Sequence, residues 1–268
     1  MTNSILRADK KKVYILIIAS TIIIAGVLIP FLFLLNGEED FNNKEDGEIN
    51  TDDNNNEMFI LDSGTYTGRC FFGKNILIPE GNEVIFQNAQ ILGSEIYVFG
   101  YLKIDNSIID HSIYGYGNGN IDINNLEVYS AGTIKLYENS NADIKNISRK
   151  YFNMVPSILL LDSSNLIISY SKVAISSYIN SIINATNLYN DSSLAFYDNS
   201  HGTIRSSNTT VSCYESAVIY ILQNTIIRYL YCPGTTAGNP FNNAIIYKDG
   251  ISTILQSSLT DNAQIINI

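Results

Sequence analysis

Short alternations of apolar and polar residues fill the chain from residue 58 to residue 268. Ile, Leu and Val supply most of the apolar positions, and Asn, Asp, Ser or Gly interrupts each alternation after a few residues. A period of two is typical of strands with one buried face, and the interrupting residues favour turns. No long stretch carries the i, i+3, i+4 spacing of an amphipathic helix. This region is therefore predicted to be all-β, with many short strands.

Internal repeats indicate how these strands are arranged. The segments IKLYENSNADI, ILLLDSSNLII and LAFYDNSHGTI, which start at Ile134, Ile158 and Leu194, align without gaps. They share apolar first and third residues, an acid in fifth place, Ser in seventh and Ile in eleventh. Related segments start at Ile245 and Tyr101. Such repeats are typical of a solenoid whose coils, here of about 18–25 residues, stack and together bury a core.

Residues 75–109 carry a resemblance to a known superfamily. An I-P-x-G turn at residues 78–81 precedes a strand, and a G-x-L-x-I-x-N-S strand follows at residues 100–107. In these motifs the chain resembles the right-handed parallel β-helix superfamily, the pectin-lyase-like fold, over residues 58–268. The resemblance implies a right-handed parallel β-helix. Since enzymes of the superfamily cleave polysaccharides, it also implies a polysaccharide lyase or glycoside hydrolase as one alternative function.

The N-terminal region has a different pattern. Residues 13–35 are uncharged and mostly apolar, and a helix of this length would span about 35 Å, enough to cross a hydrocarbon core of about 30 Å. Basic residues precede this segment and acidic residues follow it, which predicts a cytoplasmic tail (residues 1–12), a transmembrane helix (13–35) and an extracellular remainder. A cleaved signal peptide is the alternative. It would have a shorter apolar core ending in an A-x-A-like site, so we favour an uncleaved single-pass anchor in the cell membrane.

Residues 36–57 are rich in Asp, Glu and Asn and contain almost nothing to bury, which predicts a disordered acidic linker between the anchor and the β-helix. The whole chain has a formal net charge of -10, with 16 Lys and Arg against 26 Asp and Glu. Nucleic-acid binding requires clustered basic side chains, so a nucleic-acid partner is excluded. The basic cluster at residues 7–12 is explained by the topology of the anchor.

Three acids at the repeated position, Glu138, Asp162 and Asp198, are the candidates for catalysis. Glycoside hydrolysis needs two converging carboxylates, and a lyase would need Asp residues grouped around Ca²⁺. The favoured interpretation is structural: acids in turns accept hydrogen bonds from backbone N–H groups. We find no spacing typical of a metal or cofactor site, and we expect neither group.

Tyrosine is abundant, with 18 residues. Tyr137, Tyr197 and Tyr247 alternate with core positions, so we expect them to project outward, stack between coils and form a face for binding sugars. The alternative is that they are ordinary strand residues with hydroxyls in water.

Two further sets of residues suggest covalent modification. The four N-x-S/T acceptor motifs, at Asn146, Asn184, Asn190 and Asn208, all fall in the region predicted to be extracellular, where glycosylation is compatible with exposure. Cys213 and Cys232 are about one coil apart, so they could form a disulfide between stacked coils, although two buried thiols are favoured.

The last residues, DNAQIINI, are apolar and lack a polar cap, which suggests self-association through the C-terminal coil. The sequence thus favours a membrane-anchored, non-catalytic cell-surface β-helix for adhesion, glycan contact or envelope structure. Its partners would be the lipid bilayer and glycans or other surface proteins. A membrane-tethered lyase or hydrolase and a self-associating scaffold are the alternatives.

Overall fold

The computed structural model of the chain describes residues 58–129, 132–149, 155–233, 243–259 and 262–268, with residue 149 described in its backbone only. The predicted tail, transmembrane helix and linker lie outside these residues. Within the described ranges, no helix has the length and apolar character needed to cross a bilayer.

The described residues form a parallel β-solenoid of about 10 turns, which confirms the predicted all-β repeat architecture. Two long sheets run along it, one of 12 strands and one of 13, and consecutive coils contribute neighbouring strands to each sheet. The pairings are parallel, as between Ile96 and Ile113 in one sheet and Leu102 and Ile121 in the other. Most strands are followed by a turn and a strand of the other sheet, so the chain alternates between the two sheets, except that β2 and β3, β5 and β6, and β23 and β24 follow one another within one sheet.

The first sheet is built from twelve short strands that are mostly three to six residues long. They are β1 (Phe59–Ile60), β4 (Ile76–Ile78), β7 (Ile96–Val98), β9 (Ile113–Gly115), β11 (Thr133–Leu136), β13 (Ser157–Leu160), β15 (Ala174–Ser177), β17 (Ser192–Phe196), β19 (Asn208–Cys213), β21 (Ile226–Cys232), β23 (Thr253–Ile254) and β24 (Ser257–Leu259).

The second sheet contains the longest strands of the solenoid. Its strands are β2 (Gly64–Thr67), β3 (Cys70–Phe72), β5 (Glu83–Gln87), β6 (Gln90–Leu92), β8 (Tyr101–Ile109), β10 (Asn120–Val128), β12 (Asn141–Arg149), β14 (Asn165–Ser169), β16 (Ile182–Thr186), β18 (His201–Arg205), β20 (Val218–Leu222), β22 (Ile245–Lys248) and β25 (Gln264–Asn267).

The coils vary in length, which explains the irregular spacing of the repeats. Ile134 pairs directly with Ile158, whereas Leu194 pairs with Ile175, which in turn pairs with Ile158. One coil therefore lies between the second and third matching segments. The two related segments are not equivalent to these three, because β22, which starts at Ile245, and β8, which starts at Tyr101, belong to the second sheet. Similar turn residues follow strands of both sheets, and sequence similarity alone did not separate them.

Side chains that point inward form apolar ladders between the two sheets. Ile96, Ile113, Ile134 and Ile158 occupy equivalent positions in successive coils of the first sheet, and each is at most 2% exposed. Burying an aliphatic side chain of this size contributes roughly 1.5–3 kcal/mol. The alternation of buried and partly exposed residues along most strands is the one expected from the sequence pattern.

Asparagines stack at one corner of the second sheet. Asn88, Asn106, Asn125 and Asn146 all have left-handed backbones, with φ of 52°, 48°, 59° and 60°. Asn is one of the few residues that adopt this conformation at low cost. The Nδ2 of Asn125 donates to the Oδ1 of Asn106 at 3.0 Å, and Asn146 donates to Asn125 in the same way. These amide hydrogen bonds join consecutive coils along the solenoid axis.

Candidate functional site: a ladder of tyrosines

In seven coils, the residue directly after the first-sheet strand occupies an equivalent position. Its backbone N–H donates to the carbonyl of the last strand residue in the preceding coil: Tyr137 donates to Gly115 at 2.9 Å and Tyr197 to Ser177 at 2.8 Å. We name this set of positions the tyrosine ladder. Its members are Phe99, Tyr116, Tyr137, Leu161, Tyr178, Tyr197 and Tyr214.

The aromatic rings of the ladder are stacked nearly parallel. Ring centroids are 4.9 Å apart between Tyr116 and Tyr137, and 4.3 Å apart both between Tyr178 and Tyr197 and between Tyr197 and Tyr214, with interplanar angles of 3° to 5°. Phe99 extends the stack beyond Tyr116, at 5.3 Å and 17°. This spacing follows the distance between neighbouring strands, about 4.8 Å. Since the rings cover one another's faces, the ladder presents ring edges and a row of phenolic hydroxyls.

Two hydroxyls of the ladder, those of Tyr116 and Tyr197, are neutral over the physiological range. Burial and the neighbouring tyrosines Tyr214 and Tyr178 raise the pKa of Tyr197 well above its usual value. Burial, and then Tyr137 and Tyr114, also raise the pKa of Tyr116. A neutral phenol both donates and accepts a hydrogen bond. The ladder can therefore exchange hydrogen bonds with another uncharged, hydroxyl-rich surface.

A second group of aromatic residues widens this face at its N-terminal end. The hydroxyls of Tyr97 and Tyr114 donate to the two carboxylate oxygens of Glu95, at 2.6 and 2.9 Å, and their rings stack at 5.0 Å. The Nζ of Lys135 lies 5.0 Å from the centroid of the Tyr114 ring. The hydrogen bond from Tyr97, more than any other contact, lowers the pKa of Glu95. Glu95 therefore holds the two tyrosines as an ionised acceptor.

The three tyrosines expected to form one binding face do not share a face. Tyr137 and Tyr197 belong to the ladder, whereas Tyr247 lies on the second sheet, where its ring stacks on Tyr220 at 4.8 Å. Sequence reasoning missed the ladder members Phe99, Tyr116, Tyr178 and Tyr214. The signal was present: in each case the aromatic residue stands three positions after an inward apolar residue of the strand, as Tyr178 does after Ile175 and Tyr214 after Val211.

The candidate catalytic acids lie beside the ladder, in the turn that follows it. Glu138 and Asp162 both have φ of 57°, and Asp198 has φ of 52°. The Oε2 of Glu138 accepts from the N–H of Gly117 at 2.8 Å, and the Oδ2 of Asp162 accepts from the N–H of Glu138 at 3.4 Å. Asp198 Oδ2 accepts in the same way from Ile179, at 3.3 Å. Each carboxylate thus binds the turn of the preceding coil.

A lyase would also need a basic residue near the acids, and no described contact joins Arg205 or Arg228 to them. The guanidinium of Arg228 lies 3.3 Å from Asp191, which also contacts Lys172 at 3.1 Å, and Arg205 lies in β18 of the second sheet. Among the residues that the structure describes, no three His, Cys, Asp or Glu side chains converge as a metal site requires.

Cys213 and Cys232 lie in the adjacent strands β19 and β21, and both side chains are fully buried. Burial, followed by the contact with Cys232, raises the pKa of Cys213 well above its usual value. Disulfide formation between them stays a prediction.

The four acceptor motifs for glycosylation differ in exposure. Asn190, in a turn, and Asn146, in the asparagine stack, are exposed, whereas Asn184 in β16 and Asn208 in β19 are half-buried. The Oδ1 of Asn208 is buried without a hydrogen-bond partner. Use of these motifs stays a prediction, and the two exposed asparagines are the better placed to carry a glycan.

The chemistry that this face supports is therefore recognition through neutral hydroxyls and aromatic rings, with the nearby carboxylates engaged by backbone N–H groups. Comparisons of the chain with models of protein families, with curated proteins and with solved structures each found no match.

Proposed function

We propose that the chain is a single-pass cell-surface protein whose extracellular domain, a right-handed β-helix of the pectin-lyase-like type, contacts glycans without cleaving them. The N-terminal sequence pattern supports the anchor and its orientation. Right-handedness is the usual form of crossover between parallel strands. The tyrosine ladder is the observation that carries the proposed glycan contact.

Three properties of the ladder suit a polysaccharide surface. Its hydroxyls repeat at about the spacing of strands, so an extended chain can meet several of them in succession. The hydroxyls of Tyr116 and Tyr197 are uncharged, because the pKa of each is raised, and they therefore match sugar hydroxyls as donors and acceptors. Stacking also holds the side chains in place, so little conformational freedom is lost on binding.

Binding of the purified full-length chain in detergent to a glycan array tests this function. Changing Tyr137, Tyr178 and Tyr197 together to Phe keeps the stacked rings and removes three hydroxyls, and we expect binding to weaken roughly tenfold or more. Tyr189→Phe, at an exposed tyrosine outside the ladder, is the matched control. No retained glycan, or equal retention by the triple variant, would refute the proposal. Loss of glycan binding on Tyr247→Phe alone would instead show that the glycan contacts the second sheet.

A second candidate function is self-association through the C-terminal coil. The last strand, β25, pairs with β22 on one side, and exposed apolar side chains surround this end of the solenoid: Ile251, Leu255 and Ile268 are 66%, 61% and 61% exposed. Exposed strand edges next to apolar side chains favour pairing with another chain. A second copy of the chain, meeting this one end to end, would cover both the edge of β25 and these apolar side chains.

A further inference from the structure

In the part of the chain that the structure describes, the apolar core ends in partly exposed side chains at both ends of the solenoid. One coil further in, the core is closed: Phe86 and Ile246 are fully buried, and they pair with Tyr66 and Ile265 in the end coils. The hydrophobic residues that pack against the core but stay partly exposed all lie in these end coils. They are Tyr66 and Phe71 at the N-terminal end and Ile254, Leu259, Ala263 and Ile265 at the C-terminal end.

Both sheets also end in strands that have a neighbour on one side. At the N-terminal end β1 pairs with β4 and β2 with β5, and at the C-terminal end β23 and β24 pair with β21 and β25 with β22. No other described strand pairs with the outer edges of these five strands. The backbone groups along such an edge can form hydrogen bonds with a strand of another chain. Each described end of the solenoid therefore presents the edges of both sheets around an accessible part of the core.

Large apolar side chains are exposed at both ends. In the first coil they are Phe59, Ile60 and Phe72, and in the last coils they are Ile251, Leu255 and Ile268. Solenoids that stay soluble as single copies cover their ends with capping repeats that have a polar outer face. These side chains give neither described end such a face, so both ends favour contact with another apolar surface.

The two ends complement each other because the solenoid is a repeat along one axis. Each coil is covered by the next through parallel pairing in both sheets, as between Ile246 and Ile265. A second copy shifted along the axis places its first coil on the last coil of this one with all strands in the same direction, and thus repeats that contact. Two C-terminal ends that face each other would oppose their strands, whereas the pairings at both described ends are parallel.

We propose that the chain assembles head to tail, with the C-terminal coils of one copy stacked on the N-terminal coil of the next, so that both sheets and the apolar core continue between copies. The partly exposed core residues of the last coils would pack against Tyr66 and Phe71 of the next copy. Because the two partners use different surfaces, each added copy leaves one end open and growth continues. This inference rests on the second candidate function, self-association, and is independent of the contact with glycans.

Blocking the two ends separately tests the direction of stacking. Ile60→Lys with Phe72→Lys blocks the N-terminal end, and Leu255→Lys with Ile268→Lys blocks the C-terminal end, because charged side chains at a sheet edge oppose pairing. Either pair should lower the association constant of the full-length chain in detergent roughly tenfold or more. An equimolar mixture of the two variants should form dimers and nothing larger, since each variant supplies the native end that the other lacks.

Sedimentation velocity over a wide range of concentration measures the species formed, and circular dichroism confirms that each variant is folded. Ile167→Lys with Ile182→Lys, at exposed positions of the second sheet, is the matched control and should form the same growing series of oligomers as the native chain.

Dimers of the N-terminal variant alone, with no added dimers in the mixture, would show that two C-terminal ends meet. That result would overturn head-to-tail stacking and leave self-association standing. A native chain that stays monomeric, or association that neither lysine pair weakens, would overturn both.

Discussion

The ring of Phe196 occupies the space that a side chain at Gly202 would need. A Cβ built on Gly202 would lie 2.4 Å from both Cε1 and Cζ of Phe196, well inside van der Waals contact. Phe196 is fully buried in β17, and Gly202 lies in β18 of the second sheet. The core thus accommodates the large inward side chain of Phe196 because the residue opposite it, Gly202, has no side chain.

Gly202→Ala should therefore destabilise the protein by about 1–3 kcal/mol, because the added methyl group overpacks the core. The measurement is the free energy of unfolding from denaturant titration. Gly64→Ala, where no atom lies within 4 Å of the new Cβ, is the matched control and should change stability little. Combining Gly202→Ala with Phe196→Leu should recover part of the loss. If the double variant is no more stable than Gly202→Ala, the clash is not the cause.

The stability that the asparagine stack contributes should depend on backbone conformation as much as on hydrogen bonding. Asn125 has φ of 59° and shares amide hydrogen bonds with Asn106 and Asn146. Asn125→Ala removes both hydrogen bonds and places Ala in the left-handed region, so we expect a loss of about 2–4 kcal/mol. Asn125→Gly keeps the conformation and should lose less.

Thermal unfolding of these variants separates the two contributions, with Asn124→Ala as the neighbouring control in the same strand. Equal melting temperatures for the Ala and Gly variants would show that the left-handed backbone contributes nothing at this corner.

Glu95 should make stability depend on pH at the acidic end. The hydrogen bond from Tyr97 lowers its pKa in the folded protein below that of an unfolded glutamate, about 4.3. A lowered folded pKa means that the stabilisation is complete above the unfolded pKa and is lost as pH falls through the folded pKa. Melting temperatures from pH 6 down to pH 2 should therefore fall more steeply for the native chain than for Glu95→Gln. Parallel curves would contradict this role of Glu95.

Association through the C-terminal coil should respond to charge at that end. Leu255→Lys with Ile268→Lys replaces two exposed apolar side chains, so the fold should persist while like charges oppose contact between copies. Sedimentation velocity over a hundredfold range of concentration would then show larger species for the native chain only. Ile182→Lys, at an exposed position of the second sheet away from this end, is the control. A native chain that stays monomeric, or a double lysine variant that associates equally, would rule the interface out.

The described fold follows from the sequence in its main features because strand periodicity is local. Alternation around Ile134 and Ile158 identified which side chains point inward, and the shared acid and Ser positions identified the turn between the two sheets. Asn and Asp in these turns reflect a backbone requirement of single residues, which composition reveals without any knowledge of neighbours.

Only the tertiary structure decided which residues of consecutive coils become neighbours. Pairing steps run from 17 residues, between Ile96 and Ile113, to 27, between Val218 and Ile245, so no constant period leads from one rung to the next. Similar turn residues also follow strands of both sheets, and Tyr247, which the sequence pattern groups with Tyr137, lies on the other sheet. Apolar and polar alternation determines the face of each strand, since it depends on backbone geometry within a few residues. The tyrosine ladder and its interruption at Leu161 depend on the register of separate coils, which is set by packing of the whole core.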